Sequence, residues 1–173
     1  MSSAREDSTV EGAVGFEGLE ALREQPKLYL SELDPHLMFV PVLRSGLELS
    51  GWAEVKLYSS RELSIDFELG PYLKDGEALT RWVTTLTDRP NGLFVACALT
   101  ERLTVTLSGF TQAFAKGRPV SEVEAAPAEV ARVGMTIDAE IFGALKWERA
   151  RLRELLEAFA KVFPGTKLKL TEG

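Results

Sequence analysis

Two stretches of strict apolar–polar alternation constrain the fold of this chain more than any other feature of the sequence. In residues 63–69, Leu, Ile, Phe and Leu alternate with Ser, Asp and Glu, and in residues 103–108 apolar residues alternate with Thr and Ser. A period of two is typical of a β-strand with one buried and one solvated face. The pattern therefore predicts a sheet covered on one side, with the carboxylates of Asp66 and Glu68 on the solvated side.

Helical patterns and further strand patterns surround these two strands. The clearest helix is predicted over residues 148–163, where apolar residues recur at helical spacing, and we expect Phe159 and Leu155 to be buried against the sheet. A second core helix is predicted from the Asp34–Pro35 cap to about residue 49, with Pro41 marking a kink or a late start. Other helices are predicted at residues 16–25, 77–86 and 93–99 (the last run also fits a buried strand), and other strands or hairpins at residues 55–58, 110–119, 132–141 and 166–171. This order predicts an α+β fold, a two-layer α/β sandwich with helices on one face of the sheet.

Composition limits the possible partners and sites. The 173 residues suffice for one domain, and a formal net charge of −6 argues against duplex DNA or an anionic membrane as the main partner. Because the chain has one cysteine, Cys97, and one histidine, His36, a disulfide framework and a Cys-based or multi-histidine zinc site are excluded. With no long apolar run and no signal-peptide pattern, the protein is predicted to be cytoplasmic. Residues 1–15 are small, polar and acidic, which predicts a flexible arm before a single domain over residues 16–173.

Five segments, in order along the chain, resemble the N-terminal ATPase domain of DNA gyrase B and topoisomerase IV. This domain belongs to the GHKL family, which also includes Hsp90, histidine kinases and MutL. The segments are residues 18–30, 98–105, 110–119, 133–137, and 151–155 together with 165–170. They are similar to the family's opening helix and Arg-Pro-Gly-Met-Tyr-Ile turn, its Asn-Ala-Leu-Ser turn and strand, the hairpin that follows, the Gly-Thr-X-Val/Ile strand, and the terminal Arg-Leu-Arg-Glu-Leu helix with its strand. The resemblance covers residues 16–171 and implies a bacterial protein with a Bergerat-type ATPase fold, whose sheet is mixed and mostly antiparallel.

The departures from that family concern the nucleotide site. The family pattern Glu-X-X-Asp-Asn-X-X-Asp-Glu falls on residues 40–48, so Val40 stands at the catalytic base and Arg44 at the asparagine that reaches magnesium, while Glu48 is retained. The family's Asp-Gly-X-Gly loop falls near residues 67–70, where only Glu68 could replace the aspartate that accepts the adenine amino group. Gly92 falls at the family's phosphate lid, and Met135 falls at or beside the threonine near the adenine. The resemblance therefore implies a vestigial nucleotide site at Arg44, Glu48, Glu68, Gly92 and Met135.

Two functions are compatible with these residues. The first is a non-catalytic, pseudo-ATPase domain that acts as a protein-binding or regulatory module, without catalytic residues, cofactor or metal. In that case apolar side chains are expected to fill the old cleft: Leu43, Leu47, Phe67, Leu69 and Leu93. The alternative is a divergent ATP-binding or ATP-hydrolysing domain that uses ATP and magnesium at a reduced site formed by Glu48, Glu68 and the region of Gly92.

The expected partner is another protein, with neither direct nucleic-acid binding nor membrane binding. In gyrase-like domains the segment before the opening helix crosses to a second protomer. Here Val10 and Val14 are the only sizeable apolar residues of the arm, and so little apolar surface does not offset the cost of ordering it. The sequence therefore predicts a monomer, or a weak dimer formed through another surface.

Overall fold

Helices and strands alternate along the chain much as the sequence patterns predict. The computed structural model describes residues 17–85 and 92–173, so the predicted arm at residues 1–15 lies outside the described residues. The helices are α1 (residues 17–24), α2 (Pro35–Leu47), α3 (Gly76–Thr84), α4 (Gly92–Leu99), α5 (Ala139–Phe142) and α6 (Arg149–Val162), with a 3-10 turn at Pro26–Leu28. The ambiguous apolar run at residues 93–99 is therefore helical.

Eight strands form one sheet within the described residues. They are β1 (Trp52–Leu57), β2 (Glu62–Phe67), β3 (Thr100–Leu107), β4 (Phe110–Ala115), β5 (Arg118–Pro119), β6 (Glu124–Ala125), β7 (Ala131–Ile137) and β8 (Lys167–Glu172). Their order is β5-β4-β3-β7-β2-β1-β8, with β6 paired to β4. The β1–β8 pair is parallel and the other pairs are antiparallel. The predicted α+β sandwich with a mixed, mostly antiparallel sheet is thus confirmed.

The core lies between the helices and one face of this sheet. On β2, the side chains of Leu63, Ile65 and Phe67 point to that face and are buried. Helix α2 packs against β1, β2, α4 and α6, and α4 also packs against α3. This packing places α2 over β1 and β2, with α4 between α2 and α3.

Local capping explains where several elements begin and end. The side chain of Asp34 accepts a hydrogen bond from the His36 backbone N–H at 2.9 Å, and Pro35 occupies the first turn of α2. Since α2 begins at Pro35, the predicted late start is wrong, and Pro41 lies inside the helix. The strand predicted to reach residue 141 ends at Ile137, because the next residue, Asp138, caps α5 through the Glu140 backbone N–H.

Helix α6 carries the predicted apolar stripe. Leu152, Leu156 and Phe159 are buried, whereas Leu155 and Phe163 are half-buried. The expectation for Phe159 is therefore confirmed, and that for Leu155 is correct only in part. None of the helices formed by residues 17–85 and 92–173 has the length and apolarity that crossing a bilayer requires.

Candidate functional site

The solvent-facing side of α2 borders a shallow groove at the position of the predicted site. Val40, Pro41, Arg44, Ser45 and Glu48 line this groove, whose volume is about 160 Å³. The side chains of Arg44 and Glu48 are exposed, and neither forms an ion pair with another side chain of the described residues. This surface thus presents one cation and one anion to solvent, and Ser45 donates its hydroxyl to the Pro41 carbonyl at 2.8 Å.

The sheet-facing side of α2 is closed by an aromatic ring. Phe67 is 3 % exposed, and its ring lies against Gly46 so closely that a Cβ built on Gly46 would be 2.0, 2.3 and 2.4 Å from three ring carbons. The strand register places Ala53 of β1 and Ala131 of β7 beside Phe67 on the two neighbouring strands. A large aromatic side chain is therefore flanked by three of the smallest residues.

Four of the five residues expected to fill the cleft are buried: Leu43, Leu47, Phe67 and Leu93. The expectation for Leu69 is wrong, because this side chain is 58 % exposed. Strand β2 ends at Phe67, and the Ser50 hydroxyl replaces the strand pairing at Leu69 by accepting from its N–H at 3.1 Å and donating to its C=O at 2.8 Å. Leu69 is thereby held outside the sheet, facing solvent.

Glu68 points away from the interior, as its place in the alternation predicts. Its side chain is exposed, and the carboxylate oxygen Oε2 accepts a hydrogen bond from the backbone N–H of Gly51 at 2.8 Å. This contact fixes the carboxylate at the beginning of β1. Glu68 therefore has a local structural role and does not face the space beneath α2.

Gly92 and Met135 are both buried, each in a different packing layer. Gly92 begins α4 against the backbone of α2, so that a Cβ there would be 2.4 Å from the Val42 nitrogen and 2.5 Å from the Pro41 carbonyl carbon. Met135 lies on β7 between Leu63 of β2 and Leu103 of β3, on the helix-covered face. The structure thus brings Arg44, Glu48 and Gly92 to α2, and it places Glu68 and Met135 elsewhere.

The prediction of a solvated Asp66 is wrong, because this carboxylate is buried in an ion-pair cluster on the outer face of the sheet. Asp66 is 4 % exposed, and Arg132 binds it in a bidentate manner, with Nε–Oδ1 at 2.6 Å and Nη2–Oδ2 at 2.7 Å. Lys56 Nζ lies 3.4 Å from Oδ2. Burial alone raises the pKa of the Asp66 carboxyl, but the hydrogen bonds and charges of Arg132 and Lys56 outweigh it and hold that pKa below its usual value.

We expect this cluster to make stability depend on acid. Because the folded-state pKa of Asp66 is lowered, its contribution is fully present above the unfolded-state pKa of about 3.9 and is lost as the pH falls through the folded value. Asp66→Asn should lower the free energy of unfolding by about 2 kcal/mol at pH 7 and remove part of the acid dependence. Urea denaturation from pH 7 to pH 2 measures the free energy of unfolding of both proteins and its dependence on pH. The prediction would be contradicted if acid lowered this free energy by the same amount in the two proteins.

The one cysteine and the one histidine of the chain are both buried. Burial raises the pKa of the Cys97 thiol to about 12, so the sulfur is protonated at neutral pH. His36 uses both ring nitrogens: Nε2 accepts from the Glu148 backbone N–H at 3.0 Å, and Nδ1 lies 2.7 Å from Asp34 Oδ1. In residues 17–85 and 92–173, no group of three or more His, Cys, Asp or Glu side chains is arranged to hold a metal ion.

Comparisons with known proteins identify the architecture. No protein-family model and no curated protein matches the sequence. Among solved structures, the 43K ATPase domain of Thermus thermophilus gyrase B, in complex with an aminocoumarin, aligns with a TM-score of 0.79 and 25 % identity over 92 % of this chain and 50 % of that one. The chain has the fold of the gyrase B ATPase domain.

Two further structures show the same GHKL fold. The ATP-binding domain of topoisomerase IV from Francisella tularensis, in complex with a small-molecule inhibitor, aligns with a TM-score of 0.73 and 16 % identity over 89 % of both chains. DNA gyrase B from Myxococcus xanthus aligns with a TM-score of 0.74 and 21 % identity, over 89 % of this chain and 52 % of that one. The chain spans about half the length of the two gyrase B chains.

Three residues that border the Phe67 ring, Gly46, Ala53 and Ala131, were not identified from the sequence. Gly46 is the next-to-last residue of α2, and a glycine within a helical segment is the one local indication that something packs closely there. Ala53 and Ala131 carry no such indication, since alanine is common in any core. Their role appears only when the strand register brings them to the two sides of Phe67.

Proposed function

We propose that this chain is a non-catalytic, pseudo-ATPase domain of the GHKL fold that acts as a protein-binding or regulatory module. The observation that carries the proposal is the Phe67 ring, which is buried and seated directly on Gly46 beneath α2. The ring and its buried apolar neighbours pack between α2 and the sheet. This packing supports the proposal, because a planar base with its polar edge could enter that space only by displacing the ring.

The residues on α2 support the same proposal, because they do not suit a magnesium ion. Magnesium prefers oxygen ligands in octahedral geometry, and the resemblance places its protein ligand at position 44. The guanidinium of Arg44 offers only N–H donors and a permanent positive charge, both of which oppose a divalent cation. Val40 at the position of the catalytic base has no group that accepts a proton.

We expect no measurable binding of ATP with magnesium. Isothermal titration of the folded chain with ATP or a non-hydrolysable analogue, with and without Mg²⁺, should give no saturable heat, since both the base pocket and the metal position are lost. The matched variant is Arg44→Asn, which returns an amide oxygen to the metal position and leaves Phe67 in place. We expect that Arg44→Asn also fails to bind ATP, because the Phe67 ring still occupies the space beneath α2.

Two outcomes of that titration would change the proposal. A micromolar, magnesium-dependent affinity of the wild-type chain would favour the alternative, a divergent ATP-binding domain. Binding by Arg44→Asn alone would show that the metal position, and not the aromatic ring, is what blocks nucleotide.

The proposal includes a protein partner, a cytoplasmic location and a monomer or weak dimer. The net charge of −6 disfavours nucleic acid and anionic lipid as partners. Leu49 and Leu69 are 50 % and 58 % exposed, and the double hydrogen bond between Ser50 and Leu69 brings them to the same end of α2. Arg44, in the last turn of α2, and Glu48, its C-terminal cap, are also exposed, so this end of the helix presents both apolar and charged side chains to solvent.

We expect residues 1–15 to contribute nothing to self-association. Because the arm has so little apolar surface, the full chain and a chain lacking these residues should both sediment as monomers at micromolar concentration. Analytical ultracentrifugation of the two proteins checks this. A stable dimer that dissociates on removing residues 1–15 would show that the arm exchange of gyrase-like domains has been kept.

A further inference from the structure

The space that Phe67 occupies is built for one aromatic ring. Gly46 of α2 lies against the ring, and the residues beside it on the neighbouring strands are Ala53 and Ala131. Gly46 has no side chain and each alanine has one side-chain carbon, so these three positions leave room for the ring. We call this space, bounded by Gly46, Ala53 and Ala131, the ring socket.

We propose that the ring socket is a binding site for a single apolar aromatic ring, which the chain fills with its own Phe67 side chain and which rejects adenine. The inference rests on the proposed function, because a chain that held nucleotide beneath α2 could not keep the Phe67 ring there. The ring socket adds to the proposed function a class of ligand, namely the one that would bind beneath α2 once the Phe67 ring is removed.

The walls of the ring socket are held in place independently of Phe67. Strand β2 is paired on both sides, with β1 and with β7, and so cannot move towards α2 without breaking ladder hydrogen bonds. Helix α2 is fixed from above by the close backbone contact between Pro41 and Gly92 of α4. Removing the ring should therefore leave a cavity, and engineered apolar cavities in protein cores stay dry and bind benzene.

The polar side chains adjacent to Phe67 in sequence are turned away from the ring socket. Asp66 is bound to Arg132 on the opposite face of the sheet, and Glu68 is bound to the Gly51 backbone N–H. A purine placed in the socket would lose its hydrogen bonds to water without gaining these carboxylates in exchange. A hydrocarbon ring carries no such cost, which is why we expect benzene to bind and adenine not to.

Chemical rescue of a ring deletion tests the proposal. The melting temperature of Phe67→Ala is measured without benzene and with benzene at about ten times the dissociation constant. Benzene should raise this temperature by about 3–6 °C. Adenine should leave the melting temperature unchanged, and the wild-type chain should respond to neither probe. Phe159→Ala is the matched control, because it removes the same kind of buried ring outside the ring socket, at a place bordered by the half-buried Phe163 and therefore less enclosed.

The outcomes separate the ring socket from the proposed function. Equal responses of Phe67→Ala and Phe159→Ala to benzene, or no response of Phe67→Ala, would overturn the ring socket, and an equal response to adenine would overturn its selectivity. If Phe67→Ala is too unstable to melt cooperatively, Phe67→Leu replaces it and should show a smaller shift of the same sign. Magnesium-dependent ATP binding by the wild-type chain would contradict the proposed function, whereas a missing benzene response without ATP binding contradicts the ring socket alone.

Discussion

Gly46→Ala should destabilise the chain by about 3 kcal/mol, at the upper end of what overpacking costs in protein cores. The new methyl group would lie 2.0 Å from a ring carbon of Phe67, and that ring is only 3 % exposed, so it cannot move aside without displacing other core residues. Gly46 lies in the last turn of α2, where replacing a helical glycine by alanine gains at most about 1 kcal/mol, so the steric cost must exceed this gain. Urea denaturation of the two proteins gives the difference in the free energy of unfolding.

A double-mutant cycle shows whether the Phe67 ring is the cause. In a Phe67→Ala background the clash is absent, so Gly46→Ala should be neutral or stabilising by up to about 1 kcal/mol. The matched control is Gly134→Ala on β7, where a Cβ would be 3.8 Å from the nearest atom, Thr104 Cβ. This control should change stability by less than about 1 kcal/mol. Equal effects of Gly46→Ala in both backgrounds would mean that the ring does not press on α2.

The strands and helices were largely predictable because each follows from a local repeat. The two alternating segments became β2 and β3, and the apolar stripe near the C-terminal end became α6. The Asp34–Pro35 cap fixed the beginning of α2 correctly, since a capping side chain acts within three residues. The resemblance then supplied the mixed, mostly antiparallel character of the sheet, which no local pattern contains.

Burial on the outer face of the sheet could not be predicted from the same patterns. Alternation shows that Asp66 and Phe67 point to opposite faces, but it does not show what covers either face. Asp66 is buried because Arg132 binds it from a strand that lies far along the sequence. Leu69 was misplaced for the opposite reason, since its apolar character continued the pattern after the strand pairing had ended at Phe67.

The places of Arg44 and Glu48 along the helix were predictable from the sequence, but the contacts beneath α2 were not. Arg44 and Glu48 lie on the exposed side of α2, four residues apart, as the helical spacing requires. The close approach of α2 to Phe67 depends on Gly46, and that of α4 to α2 depends on Gly92. Each contact joins residues that are distant in sequence, so only the three-dimensional packing shows how closely Phe67 and α4 approach α2.

Phe159→Ala should lower the free energy of unfolding by about 3–5 kcal/mol, the range expected for deleting a buried phenylalanine ring. Phe159 is 6 % exposed on α6, which packs against β8 and α2, and its ring stacks on Phe163 with centroids 6.0 Å apart. The deletion thus removes contacts that join the last helix to the rest of the core. Thermal or urea unfolding, with the same transition followed by two probes, measures the loss.

Val162→Ala provides the control on the same helix. Val162 is 66 % exposed, so its truncation removes little buried surface and should change stability by less than about 0.5 kcal/mol. A loss below about 1 kcal/mol for Phe159→Ala, well under the usual range for a buried ring, would show that α6 is peripheral to the core. In that case its apolar stripe would be better explained as an interface with a partner, and the protein-binding surface would have to be sought on α6 instead of at the end of α2.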